Sequence, residues 1–429
     1  MRIYHIAQGH LNGEVSVDKC FLGGYIPKDL PSTFSSFSYM NFHEEKKIHE
    51  DSIISKLLTP LTSKEQIFGV FPNTARYAFT AYFPQAVVTY LLDKINTPPL
   101  IILYAQRIVA FLFWILIVYY AIRISPVYKE VLMFLSFLPT SLAVNSTLSA
   151  DVVSNAFTFL IFALFLKFKF GDANITKKDG TTFFVVMLML SWQKIVYFPL
   201  CFLLLLVPKE KFGTLSRKLG FLSFVFVTNL ALVVWWAGEI NKLIYPTNDK
   251  NFTTYANGMR PECSVNPMLQ TDIVLKEPIT FTSNLLFASY KSYNAFGIYL
   301  TSFGWESITI SRGLLIILKL SVFLFILTRQ SLFKTWERIF LLLLGQCLVM
   351  LFLLSQHLHW ACVGDEIIRN FGGKYYIPIY PLILFAITGL VDKRQFFINH
   401  RASINLYLVI LTLIVQIEFL FAMIGRYYD

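Results

Sequence analysis

Eight stretches of this chain are long apolar runs: 99–121, 128–145, 151–170, 219–240, 313–328, 338–358, 375–391 and 403–424. A membrane helix needs roughly 17–25 mostly apolar residues, so each run predicts a span. A ninth run, 181–207, is broken by Trp192-Gln193-Lys194. It is too long for one span and short for two, and it predicts two short helices meeting near Lys194. The expected fold is an all-α polytopic membrane protein with about ten transmembrane helices. Composition agrees. Only 15% of the 429 residues are charged, against about 25% in a soluble globular chain. Hydrophobic residues reach 55%, aromatics 17% and mean hydropathy +0.57. An ordinary soluble enzyme, a disordered tail and a fibre are all excluded.

The net charge of +11 carries topology. Lys167, Lys169, Lys177 and Lys178 flank one short loop, and Lys209, Lys211, Arg217 and Lys218 fill the next. Arg329, Lys334 and Arg338 mark a third, and Lys393, Arg394 and Arg401 a fourth. These alternate loops read as cytoplasmic, and Arg123 and Lys129 fit the same side. The long segments are balanced: nine basic and nine acidic residues in 1–98, six and five in 241–312. No nucleic-acid partner is needed to explain the excess, and no nucleic-acid-binding motif is present. The chain thus divides into an extracytoplasmic N-terminal loop, 1–98, with an interfacial helix near 82–95; membrane helices over 99–240, including the broken pair at 181–207; an extracytoplasmic loop, 241–312; and C-terminal membrane helices over 313–429. Met1-Arg2-Ile3-Tyr4-His5 opens no signal peptide, and no apolar helix precedes residue 99. A first membrane helix lost from upstream is therefore expected.

Within 1–74, Gly23-Gly24 and Pro27 read as punctuation, and Glu44-Glu45-Lys46-Lys47 as a solvated helix face. The apolar run at 82–95 is short for a span and suits a helix lying in the interface. Phe303-Gly304-Trp305-Glu306 precedes a span, where Trp305 serves as an interfacial belt residue.

Ionisable groups inside or at the edge of spans are costly and are functional candidates by default. Arg107 lies within 99–121. It either snorkels or offers its planar fork to a lipid phosphate. Asp151 follows Leu148-Ser149-Ala150 and opens a helix, so Ser149 or Asp151 is expected to cap it; the functional alternative is a sugar-hydroxyl or metal contact. Gln193 and Lys194 sit at the helix break, where a lysine either snorkels or binds phosphate in a wet cavity. Glu239, after Trp235-Trp236, and Glu306 are weak candidates for a base. His357, His359, Asp365, Glu366, Arg369 and Lys374 form a dense polar run. His357 and His359 are two apart and cannot share a helix face, so no metal site is read there or elsewhere. Lys374, after Gly372-Gly373, is the best phosphate-binding candidate, because glycines let a ligand approach the backbone. Cys201 and Cys347 lie in spans as packing residues. Two of Cys20, Cys263 and Cys362 could pair on the oxidising side. P-loop, GxSxG, Rossmann and HExxH motifs are all absent from the sequence.

Four segments together resemble a bacterial multi-pass membrane family, domain-of-unknown-function 2142, and through it the C-type glycosyltransferases that use polyprenyl-phosphate sugars. They are Tyr77 to Gln85, with Tyr82-Phe83-Pro84-Gln85; Gln106-Arg107; Leu138-Pro139 with Leu148-Ser149-Ala150-Asp151, where Ala150 replaces a proline; and Gly372-Gly373-Lys374-Tyr375-Tyr376-Ile377-Pro378, where Lys374 replaces an arginine. Arg2-Ile3-Tyr4-His5-Ile6-Ala7-Gln8-Gly9 is similar to the segment just after the family's first-loop Asp-Glu motif. That motif would lie upstream, leaving Glu14 and Asp18 as weak substitutes for the base. The resemblance implies a bacterial inner-membrane, inverting glycosyltransferase. Its phosphate-binding set would be Lys374, Arg107, Lys194, Asp151, Gln193 and Tyr375, and its acceptor a cell-envelope glycan or glycolipid. No cofactor is signalled, and a divalent metal stands open. The alternatives are a lipid-linked-sugar flippase and a non-catalytic partner in envelope assembly.

Overall fold

The computed structural model describes all residues except 17–20, 41, 42, 44, 49, 62–64, 245–264, 295–307, 309, 328–331, 370–372, 390–399 and 429. A short helix α1 (Arg2–Ala7) leads into strands β1 (Glu14–Val15) and β2 (Leu22–Pro27), and β3 (Gln66–Val70) completes an antiparallel sheet in the order β1-β2-β3. Helix α2 (Phe83–Asp93) is followed by α3 (Pro99–Ile124), α4 (Lys129–Ser136), α5 (Pro139–Asn145), α6 (Asp151–Phe170), α7 (Lys177–Gln193) and α8 (Leu215–Ile244). Further on come α9 (Arg312–Leu327), α10 (Thr335–Trp360), α11 (Tyr380–Ile387) and α12 (Arg401–Tyr427).

Among the described residues, five helices are long and apolar enough to cross a membrane: α3, α6, α8, α10 and α12. The remaining expected spans are shorter pieces. The run 128–145 divides into α4 and α5, because Pro139 cannot continue a helix and instead starts a new one. The run 313–328 gives the 16-residue α9. The run 375–391 gives a 3₁₀ turn, Gly373–Tyr376, then the eight-residue α11 with Pro381 in its first turn. The run 181–207 breaks where the sequence predicts. Helix α7 stops at Gln193, Lys194 is extended (φ −147°, ψ 106°), and a 3₁₀ helix covers Ile195–Leu206.

Helix α6 is the hub. Of its apolar stretch 89% is buried, against 17–39% for the other four long helices. A helix apolar all round is one enclosed by neighbours. Phe159, Phe162 and Phe165 are wholly buried, and Trp114 of α3 meets Phe159 edge-on at 5.1 Å between centroids. Lipid is as apolar as these side chains, so close packing and polar contacts hold such helices together. Asn155 donates to Asn145 Oδ1 at 3.1 Å, and Ser191 to Asn229 Oδ1 at 2.8 Å.

Polar ties also define two ends. At one, Lys169 Nζ meets Glu337 Oε1 at 2.6 Å with both side chains buried, Lys167 pairs with Asp179 at 2.8 Å, and Arg338 Nε donates to the Ala386 carbonyl at 2.6 Å. These contacts gather the C-terminus of α6 with the starts of α7 and α10. At the other end lie the N-terminus of α6 and the segment 1–98. Lys47 Nζ donates to the Gly425 carbonyl at 2.8 Å, and Arg426 Nη2 to that of His43 at 3.1 Å, fastening the segment to the tail of α12.

The expectation of an all-α chain is corrected by the sheet. Gly23 and Gly24 are interior positions of β2, and a Cβ on Gly23 would fall 1.9 Å from the Gly69 carbonyl oxygen. Residues 45–47 form a turn and coil, not a helix face. The short helix expected near 82–95 is present as α2. It buries Gln85 and Thr89 while exposing Phe83, Val87, Tyr90 and Leu91.

Candidate functional site

The polar centre of the molecule is built on Asp151, the first residue of α6, which is only 3% exposed. Ser149 positions it. Its hydroxyl accepts the Asp151 amide at 3.2 Å and donates to Asp151 Oδ2 at 2.7 Å. The helix N-cap is Ala150, without a side-chain cap bond, so neither Ser149 nor Asp151 caps as expected, and the Asp151 carboxylate is turned to other partners. Lys194 donates to Oδ1, and Lys374 Nζ lies 2.8 Å from Oδ2. Lys194 reaches the carboxylate because α7 ends one residue before it. Lys374 comes from the 3₁₀ turn ahead of α11.

Two lysines on one carboxylate leave one positive charge in excess. Lys194 is 6% exposed and Lys374 39%, so the cluster opens on the Lys374 side. The Tyr375 ring joins them, with its centroid 4.8 Å from Lys194 Nζ and 4.9 Å from Lys374 Nζ. Cations over an aromatic face are favoured most where water is excluded. Burial first raises the pKa values of both the Tyr77 and Tyr82 phenols; the Asp151 charge comes next at Tyr77, and at Tyr82 the neighbouring Tyr77 phenol and then Asp151, leaving Tyr82 well above its ordinary range. Both are therefore neutral hydroxyls beside the cluster. Gln193 is 3% exposed, and neither of its amide atoms is hydrogen-bonded.

Of the residues singled out from sequence, Asp151, Lys194, Lys374 and Tyr375 are brought together, with Gln193 next to Lys194. Arg107 does something else. It is exposed, and its Nε donates to the Ser146 carbonyl at 3.0 Å, bracing the loop that leads to Asp151. Glu239 pairs with Lys242 at 2.7 Å at the end of α8. Glu14 lies in β1, with Oε1 2.8 Å from His10 Nδ1. Asp18, Trp305 and Glu306 lie outside the described residues. His357 Nε2 is 2.6 Å from Gln270 Nε2. Cys201 and Cys347 are free thiols, and Cys362 is disulfide-bonded; Cys20 and Cys263 lie outside the described residues. Sequence reasoning missed Tyr197, whose ring lies 5.9 Å from Lys194 Nζ. A tyrosine in an apolar run gives no local sign that it faces a distant carboxylate.

No curated protein and no solved structure matches the chain. A family profile described as predicted membrane protein (DUF2142) matches residues 2–383. With most of its length covered, from α1 into α11, the chain belongs to the DUF2142 family of predicted membrane proteins.

Proposed function

We propose that the chain is a membrane glycosyltransferase that moves a sugar from a polyprenyl-phosphate donor to a cell-envelope glycan or glycolipid on the outer face of a bacterial inner membrane. The observation that carries this reading is the Lys194–Asp151–Lys374 cluster, with its surplus positive charge and its half-exposed lysine. A phosphate arriving from the bilayer meets Lys374 first. The Tyr77 and Tyr82 hydroxyls and the amide of Gln193 supply further donors. Cations fixed where charge builds on the leaving phosphate stabilise the transition state for glycosyl transfer. The acceptor hydroxyl would be deprotonated by a carboxylate. Asp151 is committed to its lysines and is not assigned that role. The disulfide at Cys362 supports an oxidising compartment for the end of α10.

The test is transfer of a radiolabelled sugar from polyprenyl phosphate by the purified chain in nanodiscs supplied with envelope glycolipid. Lys374→Ala is expected to lower transfer at least about a hundredfold, the size of one lost oxyanion-type contact, while Lys374→Arg keeps a large part of it. Transfer unaffected by Lys374→Ala would overturn the assignment. One observation favours a flippase instead: the extended break at Lys194 between α7 and the 3₁₀ helix, since discontinuous helices line many transport sites. Proteoliposomes separate the two. A flippase exposes lipid-linked sugar on the far leaflet with its glycosidic bond intact.

A further inference from the structure

A second cluster of chemistry-bearing side chains lies in the outer segment, where α1 turns into β1. His5 is fully buried, and its ring lies flat against Gly24 of β2. A Cβ at Gly24 would fall 2.3–2.6 Å from the ring atoms, so only glycine leaves room for the imidazole. His5 Nδ1 faces the Tyr25 carbonyl at 3.1 Å. His5 Nε2 faces the Asn12 carbonyl at 3.1 Å and Glu14 Oε1 at 3.5 Å. The same Oε1 is 2.8 Å from His10 Nδ1, and the two imidazoles stack with centroids 4.6 Å apart. One ligand atom each from His5, His10 and Glu14 lies within 4.8 Å of the others.

Proton arithmetic at His5 limits what this cluster can be. Both ring nitrogens point at oxygen acceptors, yet a neutral imidazole carries one N–H. If Nδ1–H donates to Tyr25, then Nε2, the Asn12 carbonyl and Glu14 Oε1 present lone pairs to one another. That arrangement needs either a second proton on the ring or a cation among the lone pairs. A ring N–H given to a backbone carbonyl, with the other nitrogen left bare, is also how metal-bound histidines are usually oriented.

We propose that His5, His10 and Glu14, with the Asn12 carbonyl beside them, bind a divalent transition-metal cation. Two imidazoles and a carboxylate select zinc and its neighbours over magnesium or calcium, which prefer all-oxygen sites. Arg2 is the competing charge. Its guanidinium donates to the carbonyls of His10 (3.4 Å) and Leu11 (2.5 Å), holding the turn that carries His10 while adding a positive charge that Glu14 offsets. The inference is independent of the glycosyltransferase reading.

The experiment uses the full chain, purified in detergent with chelator, freed of chelator and titrated with Co²⁺ alone. One equivalent is expected to give visible d–d absorption, which Zn²⁺ abolishes. His10→Ala and the isosteric Glu14→Gln are each expected to weaken Co²⁺ binding by at least about tenfold, no less than a lost outer-shell partner does, while far-UV circular dichroism is unchanged. Glu239→Gln, on α8, is expected to bind as the parent does. Absence of d–d bands in the parent, or undiminished affinity in either variant, would overturn the proposal.

Discussion

Asp151 shows how one side chain decides its surroundings. Ionised and almost wholly buried, it is tolerable only because three donors, Ser149, Lys194 and Lys374, converge on it. Removing one member of a buried pair strands the other and costs about 3–5 kcal/mol, whereas removing both is often close to neutral. Asp151→Asn should therefore destabilise the protein strongly, and Asp151→Asn with Lys194→Met should recover most of the loss. Thermal unfolding in detergent of the four proteins of that double-mutant cycle checks this. An additive double mutant would mean that the two charges do not interact. Each charged member of the cluster was visible in the sequence as an ionisable group at the edge of an apolar run. Their convergence was not, because the three residues sit on segments far apart in the chain. His5 and His10 were passed over, and Glu14 was named only as a substitute base and not as their partner, for a related reason. His10 and Glu14 are four apart, but His5 lies five and nine positions from them and shares no helix or strand face with both; only the turn after Ala7 folds them back onto His5.

At the level of elements, long apolar runs were legible because length and hydropathy suffice for α3, α6, α8, α10 and α12. Shorter segments were not, since an apolar run does not reveal where Pro139 or Pro381 resets the backbone. The sheet was missed for a physical reason too. Leu22-Gly23-Gly24-Tyr25-Ile26-Pro27 carries two glycines and a proline, which read as a turn. In β2 those glycines instead permit close approach of Gly69 on one position and of His5 on the next. Gly24→Ala is expected to displace the His5 ring and destabilise α1 against the sheet by about 1–3 kcal/mol, the usual range for overpacking. Hydrogen exchange at the His5 and Gln8 amides, which donate to the Met1 and Tyr4 carbonyls, reads this directly, as faster exchange than in the parent. Unchanged protection there would mean that the ring does not rest on Gly24.

Across the whole molecule, the basic side chains of the helix ends and the segment 1–98 make their polar ties at different ends of the helices. Lys167, Lys169, Lys211, Lys218 and Arg338 tie helix ends together at one pole, while His43, Lys46, Lys47 and Ile48 bind the tail of α12 at the other. These bonds join the two extremities of the fold. Arg426 donates to the carbonyls of Lys46 and His43, both at 3.1 Å. Arg426→Ala should release the strap and speed trypsin cleavage near Lys46 and Lys47 severalfold without altering the thermal transition of the helical core. Cleavage at the parental rate would show that the strap is held by other contacts.

The enclosure of α6 has a consequence for biosynthesis. The ribosome makes Asp151 before either of its lysines. Lys194 comes with the next hairpin, which can enter the bilayer as a charge-balanced unit. Lys374 is added only after α10. A nascent chain thus carries a neutral Asp151–Lys194 pair from residue 194 until residue 374 is made, and the surplus charge of the cluster arrives late. Until then the intermediate lacks the second lysine on which the proposed phosphate site depends.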